Sequence, residues 1–582
     1  MPDRFWVGGT ANWDGAAGTK WAATSGGAGG QSVPTSADDV FFTNLSTGNC
    51  TISTGNTGAR SINCTGFTGT LSGTAAISVA GSITLVAGMS YTHSGTTIIT
   101  GTGTLTSAGK TLGPTSINAI TQTVTIGDAL TSSGAITLTA GTFTTNNFNV
   151  TATRLFSSNS NTRTINLGSS TLTFTSSSFD ALDFNTSTNL TFNAGTSQIN
   201  MSGANGGFRG GNQTFNNVSF TSTTASSARA IANANTFNNL SVTAPAAAGV
   251  TQVTFDSRTT INGTLSTTGT AGNRRVWFQG NTYGIAQTLT INSAASLTDA
   301  DFRDIYVIGT AAPISGTRIG NLRGCRGITF STPKTVYWNL AGAQNWSADG
   351  WAATPTGSPS TNNFPLAQDT ATFTNAGSVT GTITLDSALA YVPTVDMSGR
   401  TSAMTLGTSN TTTVYGNWIN GSGTTLSGVA TLTFSGRNTQ TITSAGKTFT
   451  CPITIDTYGG AVELVDAINV GNGTGTLTVT NGTFDTKNFN VTAGELPSAN
   501  SNVRAINLGS STISLLLAPF FGTATNLTLN AGTSQINISE EGGTFNGGGF
   551  TFYNLSFTST AANSTNTING SNIFNNITIG QP

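Results

Sequence analysis

Long stretches of this chain occur twice. Gly141-Thr-Phe-Thr-Thr-Asn-Asn-Phe-Asn-Val-Thr-Ala152 returns as Gly482-Thr-Phe-Asp-Thr-Lys-Asn-Phe-Asn-Val-Thr-Ala493, and Asn159-Ser-Asn-Thr-Arg163 returns as Asn500-Ser-Asn-Val-Arg504, both 341 positions on. The stretch 188–200 returns at 525–537, 337 positions on; the same offset joins 107–111 to 444–448 and Phe237-Asn238-Asn239 to Phe574-Asn575-Asn576. The fold must be one that a unit of about 240 residues builds twice, over about 4–243 and 335–582, with 244–334 lacking a counterpart. Repetition on this scale points to solenoids and arrays, in which each module buries its apolar face on the next.

A shorter period runs inside each copy. Ala135-Ile-Thr-Leu-Thr, Asn147-Phe-Asn-Val-Thr, Leu172-Thr-Phe-Thr, Asn217-Val-Ser-Phe-Thr and Asn239-Leu-Ser-Val-Thr alternate apolar and polar residues. Period two places Ile, Leu, Val and Phe on one face of a strand and Thr, Ser and Asn on the other. Gly-, Asn- and Ser-rich corners separate these runs at spacings of about 15–25 residues, the length of a solenoid coil. The recurring Phe-Asn-Asn box at Phe215, Phe237 and Phe574, with Phe552-Tyr553-Asn554 as a variant, suggests Phe stacked inside and Asn at the corners. Asn tolerates the left-handed conformation and bonds to its neighbour in a stack.

Composition closes the alternatives. Charged residues are 7% of the chain, against about 25% in ordinary domains, so the charged helix formers are missing. A formal net charge of −1 and an apolar share of 36%, including 32 Phe, argue against disorder. The expectation is an all-β protein, a right-handed parallel β-helix or β-solenoid made of two tandem copies. Its divisions are a Trp-rich cap at 1–45, a first solenoid unit at 46–243, an unpaired Arg-rich β segment at 244–334, a second cap at 335–376 and a second unit at 377–582.

The caps rest on matching openings. Trp6, Trp13, Trp21 and Asp38 correspond to Trp338, Trp346, Trp351 and Asp369. Terminal repeats need a cover, and clustered indoles supply large buried area.

Little in the sequence speaks for catalysis. The one histidine, His93, reads as a surface or corner residue and builds no metal site alone. The Gly-Lys-Thr of 107–111 and 444–448 lacks the glycine that a phosphate loop needs, since Thr104 and Thr441 stand there and no helix follows. Glu540 and Glu541 belong to a loop. Cys50, Cys64, Cys325 and Cys451 show no metal or disulfide spacing and read as buried thiols, although a pairing of Cys50 with Cys64 across adjacent coils stays open. No cofactor is expected. In the stretch Thr298-Asp299-Ala-Asp301-Phe-Arg303-Asp304-Ile-Tyr306, a strand puts Asp299 and Asp301 on one face with Arg303 and turns Asp304 away. The expectation is a solvated charged strand; the alternative is a glycan or ion site at Asp299 and Asp301, catalytic if the carboxylates stand about 5–9 Å apart.

Around this stretch lie Arg258, Arg274, Arg275, Arg303, Arg318, Arg323 and Arg326, with Trp277, Tyr283 and Tyr306 among them. Arg and aromatic residues carry interfaces. The reading is a contact surface toward a neighbouring subunit or a larger particle, with Arg274, Arg275, Trp277, Arg303, Tyr306, Arg318, Arg323 and Arg326 as its residues. A charge of −1 speaks against nucleic acid, and no stretch is apolar enough to span a membrane.

The opening Phe5-Trp6-Val7-Gly8-Gly9, Asn12-Trp13, Trp21, Pro34 and Asp38-Asp39-Val40-Phe41-Phe42, with the Gly-Thr-Phe and Ser-Asn-Ser-Asn-x-Arg boxes, resembles repetitive β-helical proteins of tailed bacteriophages. The opening alone is also similar to the Trp-rich start of autotransporter-type β-helical adhesins. The resemblance implies a β-helix displayed on a virion or cell surface and carries over no catalytic residue. The chain opens without the basic and apolar regions of a secretory signal, and no translocation barrel follows its last box, which favours the phage side. The expectation is a non-enzymatic virion structural protein, made in the host cytoplasm, a fibre that touches the host. Its partners are other virion proteins, further copies of itself (a homotrimer fits) and a host surface glycan. Alternatives are a capsid decoration protein, a secreted bacterial adhesin and a polysaccharide depolymerase tailspike.

Overall fold

The alternating runs become strands, and the strands stack. The computed structural model describes residues 2–580 apart from 14–18, 55–56, 179, 378, 390, 472–474, 518–520 and 563–564. Within them the chain winds as a parallel β-solenoid of about 24 turns. The one helical element described in full is a 3-10 turn, Thr361–Asn363. Every described ladder is parallel except two: Trp21–Ala22 runs antiparallel to Asp3–Trp6, and Trp351–Ala352 to Thr335–Trp338.

Register aligns like with like. Val150, Leu172, Ile199, Val218, Leu240 and Leu265 follow one another from coil to coil and are all buried. A one-residue slip would turn this whole row to solvent, so period two and register enforce each other. Phe215 and Phe237 stack at 5.8 Å, and Phe278 and Phe302 at 5.2 Å. On the outside Asn239 donates to Asn217 at 2.8 Å, Asn193 to Asn166 at 2.7 Å and Asn530 to Asn507 at 2.7 Å. Asn147 and Asn488 take the left-handed corner conformation, and each accepts at 2.9 Å from the amide one coil on, that of Ser169 or Ser510. Corner residues thus satisfy the backbone that the strands leave unpaired.

The core falls into two bodies, one from Trp6 to Ile319 and one from Leu322 to Phe557. The segment 244–334 is therefore no separate region: Thr236–Thr243 pairs with Thr264–Thr268, and stacking continues to Gly320–Asn321. The boundary at 243 is one of sequence repetition and not of fold.

Each body opens under a tryptophan cluster. Trp13 and Trp21 meet edge to face at 4.9 Å, Trp346 and Trp351 at 4.6 Å, and Trp6 and Trp338 are equally buried. The indole N–H of Trp21 donates to the Trp13 carbonyl at 3.1 Å, and that of Trp351 to the Trp346 carbonyl at 3.2 Å. Asp38 accepts from the Thr35 amide at 2.8 Å and faces Arg4 at 3.4 Å; Asp369 accepts from the amides of Leu366 and Lys334 at 2.9 and 3.0 Å. Both carboxylates hold the turn that begins the next coil. No described helix is long and apolar enough to cross a membrane.

Candidate functional site

The Arg-rich segment supplies a contact surface, and what it contacts is the second solenoid of the same chain. Positions that follow one another just before, within and just after the strand Arg274–Gly280 of the first body meet turns that follow one another along the axis of the second. Asn273 donates to the Ser347 carbonyl and to Asp349, both at 2.9 Å. Trp277 lies edge-on to Tyr391 at 6.5 Å, and the Tyr283 hydroxyl donates to the Asp456 carbonyl at 2.9 Å. The second axis therefore runs along the strands of the first sheet, and the two solenoids meet crosswise.

At the centre is a sealed ion network. Arg275 and Asp301 are both fully buried, and the guanidinium grips the carboxylate with two bonds, of 2.6 and 2.7 Å. Tyr391, from the second solenoid, donates to the same carboxylate at 2.9 Å. Asp299 is equally buried; Arg318 holds it with both Nε and Nη2, the latter at 2.8 Å, and Arg275 stands 3.7 Å away. Burial works against the charge on Arg275, but the surrounding anions, Asp301 foremost, outweigh it and keep the guanidinium protonated. Burial also pushes the Asp301 carboxyl up, with Arg275 and the Tyr391 hydroxyl opposing. Tyr391 itself is raised well above the usual phenol range by burial and by Asp301, so it remains a donor.

A second pair lies one step along. Asp304 is buried, Arg437 of the second solenoid reaches it at 2.6 Å, and the Gly284 amide donates to it at 3.1 Å. Arg303 lies over Trp277 at 4.9 Å, and Arg437 over Tyr283 at 5.1 Å and Tyr458 at 5.5 Å. Arg323 donates toward the Tyr415 carbonyl at 3.5 Å, and Arg318 to Asn362 at 2.8 Å.

Several expectations change here. Asp299 and Asp301 line no groove and lie on no solvated strand. Asp299 sits in the left-handed conformation at φ 57°, which breaks the strand and turns its carboxylate inward to Arg318. Arg275 is core, not surface. Arg274 and Arg303 are partly buried, while Tyr306 and Arg326 remain exposed. His93 is not a surface residue: it is 2% exposed, its Nε2 bonds the Ala75 carbonyl at 2.8 Å, and burial lowers its pKa. Cys50 is in register with Leu71 of the next coil rather than with Cys64. Burial pushes the Cys64 thiol up to about 12 and Cys451 to about 11, while Cys325 is only partly buried.

Two grooves open elsewhere, each beside an Asn-Ser-Asn-x-Arg box. One is lined by Ile120, Thr121, Gly141, Ser160 and Asn161 and encloses about 460 Å³; the other, lined by Tyr458, Gly459, Gly482, Ser501 and Asn502, encloses about 570 Å³. Their floors rest on buried arginines. Arg163 donates to the carbonyls of Asn161 and Thr188 at 2.9 and 2.7 Å, and Arg504 to those of Asn502, Thr525, Ser498 and Thr523 at 2.6–2.8 Å. Tyr391, Arg437 and these groove residues escaped the sequence reading. The one available signal was the repeated Ser-Asn-Ser-Asn-x-Arg box.

The fold makes this a β-solenoid protein. No family model, no curated protein and no solved structure matches the chain.

Proposed function

We propose that this chain is a non-enzymatic structural protein of a bacteriophage particle, an angled β-helical fibre whose neutral outer faces contact the host surface. The observation that carries this reading is the crosswise junction. Buried ion pairs and a ring of Arg–aromatic contacts lock two solenoids at a set angle, as a rigid bracket requires and as an isolated binding module does not. Thr, Ser and Asn cover the outside, so the bracket presents hydroxyls and amides with few charges. The glycan-cleaving alternative loses its carboxylates, because Asp299 and Asp301 are held in structural ion pairs. The test is electron cryo-microscopy of particles released from cells that carry the gene, with antibody labelling of the protein. Label on tail or projecting fibres is the expected result. Label spread over an icosahedral shell would replace the fibre with a decoration protein, and label on bacterial cells without any particle would overturn the phage reading.

A further inference from the structure

The two grooves share a shape that their rims do not share in sequence. In the first copy the long strand Thr115–Ile126 bulges outward: the step from Asn118 to Thr123 faces only the step from Ala140 to Thr142 on the next coil. In the second copy Ile453–Leu464 does the same, with Asp456 to Ala461 facing Asn481 to Thr483. The residues between are Ala-Ile-Thr-Gln in one and Thr-Tyr-Gly-Gly in the other. Little but the geometry is common. The third position is left-handed in both, Thr121 at φ 60° and Gly459 at φ 74°. Glycine adopts this conformation freely, whereas a β-branched threonine there is strained. Strain persists where the surrounding structure holds it, and it concentrates at functional sites.

The position before it carries a large apolar side chain turned to solvent in both copies, Ile120 at 68% exposure and Tyr458 at 48%. Opposite stands the loop of the Asn-Ser-Asn-x-Arg box. Asn159 accepts from the Asn161 amide and Asn500 from the Asn502 amide, each at 2.9 Å, and the Asn161 and Asn502 side chains donate to the carbonyls of Thr139 and Thr480. With Arg163 or Arg504 fastened beneath, both walls are preformed, so little ordering cost falls on a ligand.

The chemistry of the walls selects the ligand. Every lining residue of the first groove is uncharged. In the second the one charged residue, Arg504, is buried and spends its donors on backbone carbonyls and Ser498. Neither groove offers an ion pair to an acidic or basic group. Each offers hydroxyls, amides and carbonyls along one wall and one apolar surface on the other, which complements a neutral sugar ring with its polar edge and apolar face. The volumes lie within the range of small-ligand sites. We infer that these are two equivalent binding grooves for neutral oligosaccharide, one per copy; the inference rests on the host-contact reading and names the chemistry of the contact. Arg437 over the Tyr458 ring at 5.5 Å and Tyr283 at 6.3 Å brace the second rim, so the groove beside the junction presents a fixed aromatic face and binds more tightly. Two sites on one rigid bracket also gain avidity on a glycan-covered surface.

The test uses the full chain, with titration calorimetry against hexose and N-acetylhexosamine oligosaccharides and against sialylated and sulfated ones. The expected result is binding of a neutral oligosaccharide at two equivalents per chain. Ser160→Trp or Ser501→Trp, at exposed wall positions, lowers this to one, and the double variant abolishes it. Ile120→Ser and Tyr458→Ser serve as a second pair if a tryptophan variant melts early. Absence of binding by any neutral oligosaccharide, preference for the acidic ones, or binding that survives the double variant overturns the inference. Particle labelling is independent of this result: label on fibres with empty grooves sinks the grooves alone, and bound sugar with no particle sinks the phage reading alone.

Discussion

Tyr391 donates a 2.9 Å hydrogen bond to Asp301, a carboxylate 90 positions earlier in the chain and in the other solenoid. The same carboxylate is held by Arg275, and none of the three is more than 1% exposed. Tyr391→Phe removes one bond to a charged acceptor and should cost about 1.5–3 kcal/mol. Asp301→Ala leaves Arg275 charged, buried and without its main partner, and should cost about 3–5 kcal/mol. Guanidinium unfolding of both variants ranks the two effects. Equal and negligible losses would mean that the junction adds nothing to the stability of the chain.

His93 is the only histidine, which makes its linkage clean to read. Burial depresses its pKa below the ordinary 6.5. Between the depressed value and 6.5 the unfolded chain binds a proton that the folded chain does not, so stability rises with pH across that window. The contribution is full above 6.5 and is lost as pH falls through the folded pKa. Denaturation at a series of pH values from 7.5 downward should show this slope in the parent and lack it in His93→Gln; equal slopes would assign the effect to carboxylates.

Trp13 is fully buried between Trp21 and Phe42 at the open end of the first solenoid. Trp13→Ala should cost about 3–5 kcal/mol locally and expose the first coil, with its unpaired strand edge, to other molecules. Size-exclusion chromatography with light scattering should then show oligomers. A monodisperse profile identical to the parent's would count against a capping role.

Arg163 and Arg504 do the same work beneath the two grooves, so their loss should be felt locally and equally. Arg163→Met leaves the carbonyls beneath the first groove without their charged donor, and Arg504→Met does so beneath the second. At about 1.5–3 kcal/mol per lost charged bond, amides at 158–164 and 499–505 should exchange roughly ten- to a hundredfold faster. Coils two or more turns away should be unaffected, because solenoid coils contact only their neighbours. Hydrogen exchange read by mass spectrometry separates this pattern from global destabilisation, which would raise exchange everywhere.

The solenoid was legible because its signals are local. Alternation in Leu172-Thr-Phe-Thr fixes which side chains face inward, and the matching run one coil later supplies the partner. The tryptophan clusters were legible because both openings carry them. The candidate site was read only in part. The arginines of 274–326 signalled a contact surface, but nothing in their spacing named the partner, since that partner lies 44 to 173 residues away with no period to connect the two. Asp299 and Asp301 were misread for a related reason. Alternation says which residues share a face and not whether another body covers that face.

The sequence by itself thus determined the coil, its inward-facing side chains and its asparagine corners, since each is set within a strand or by contacts between a residue and the one about a coil further on. Only the tertiary structure decided that the two solenoids cross, that Asp301 meets Tyr391, and that divergent bulges at Ile120 and Tyr458 open the same groove. Those outcomes depend on how surfaces of two bodies fit and on how four unpaired residues leave a strand, and neither leaves a repeating mark in the order of amino acids.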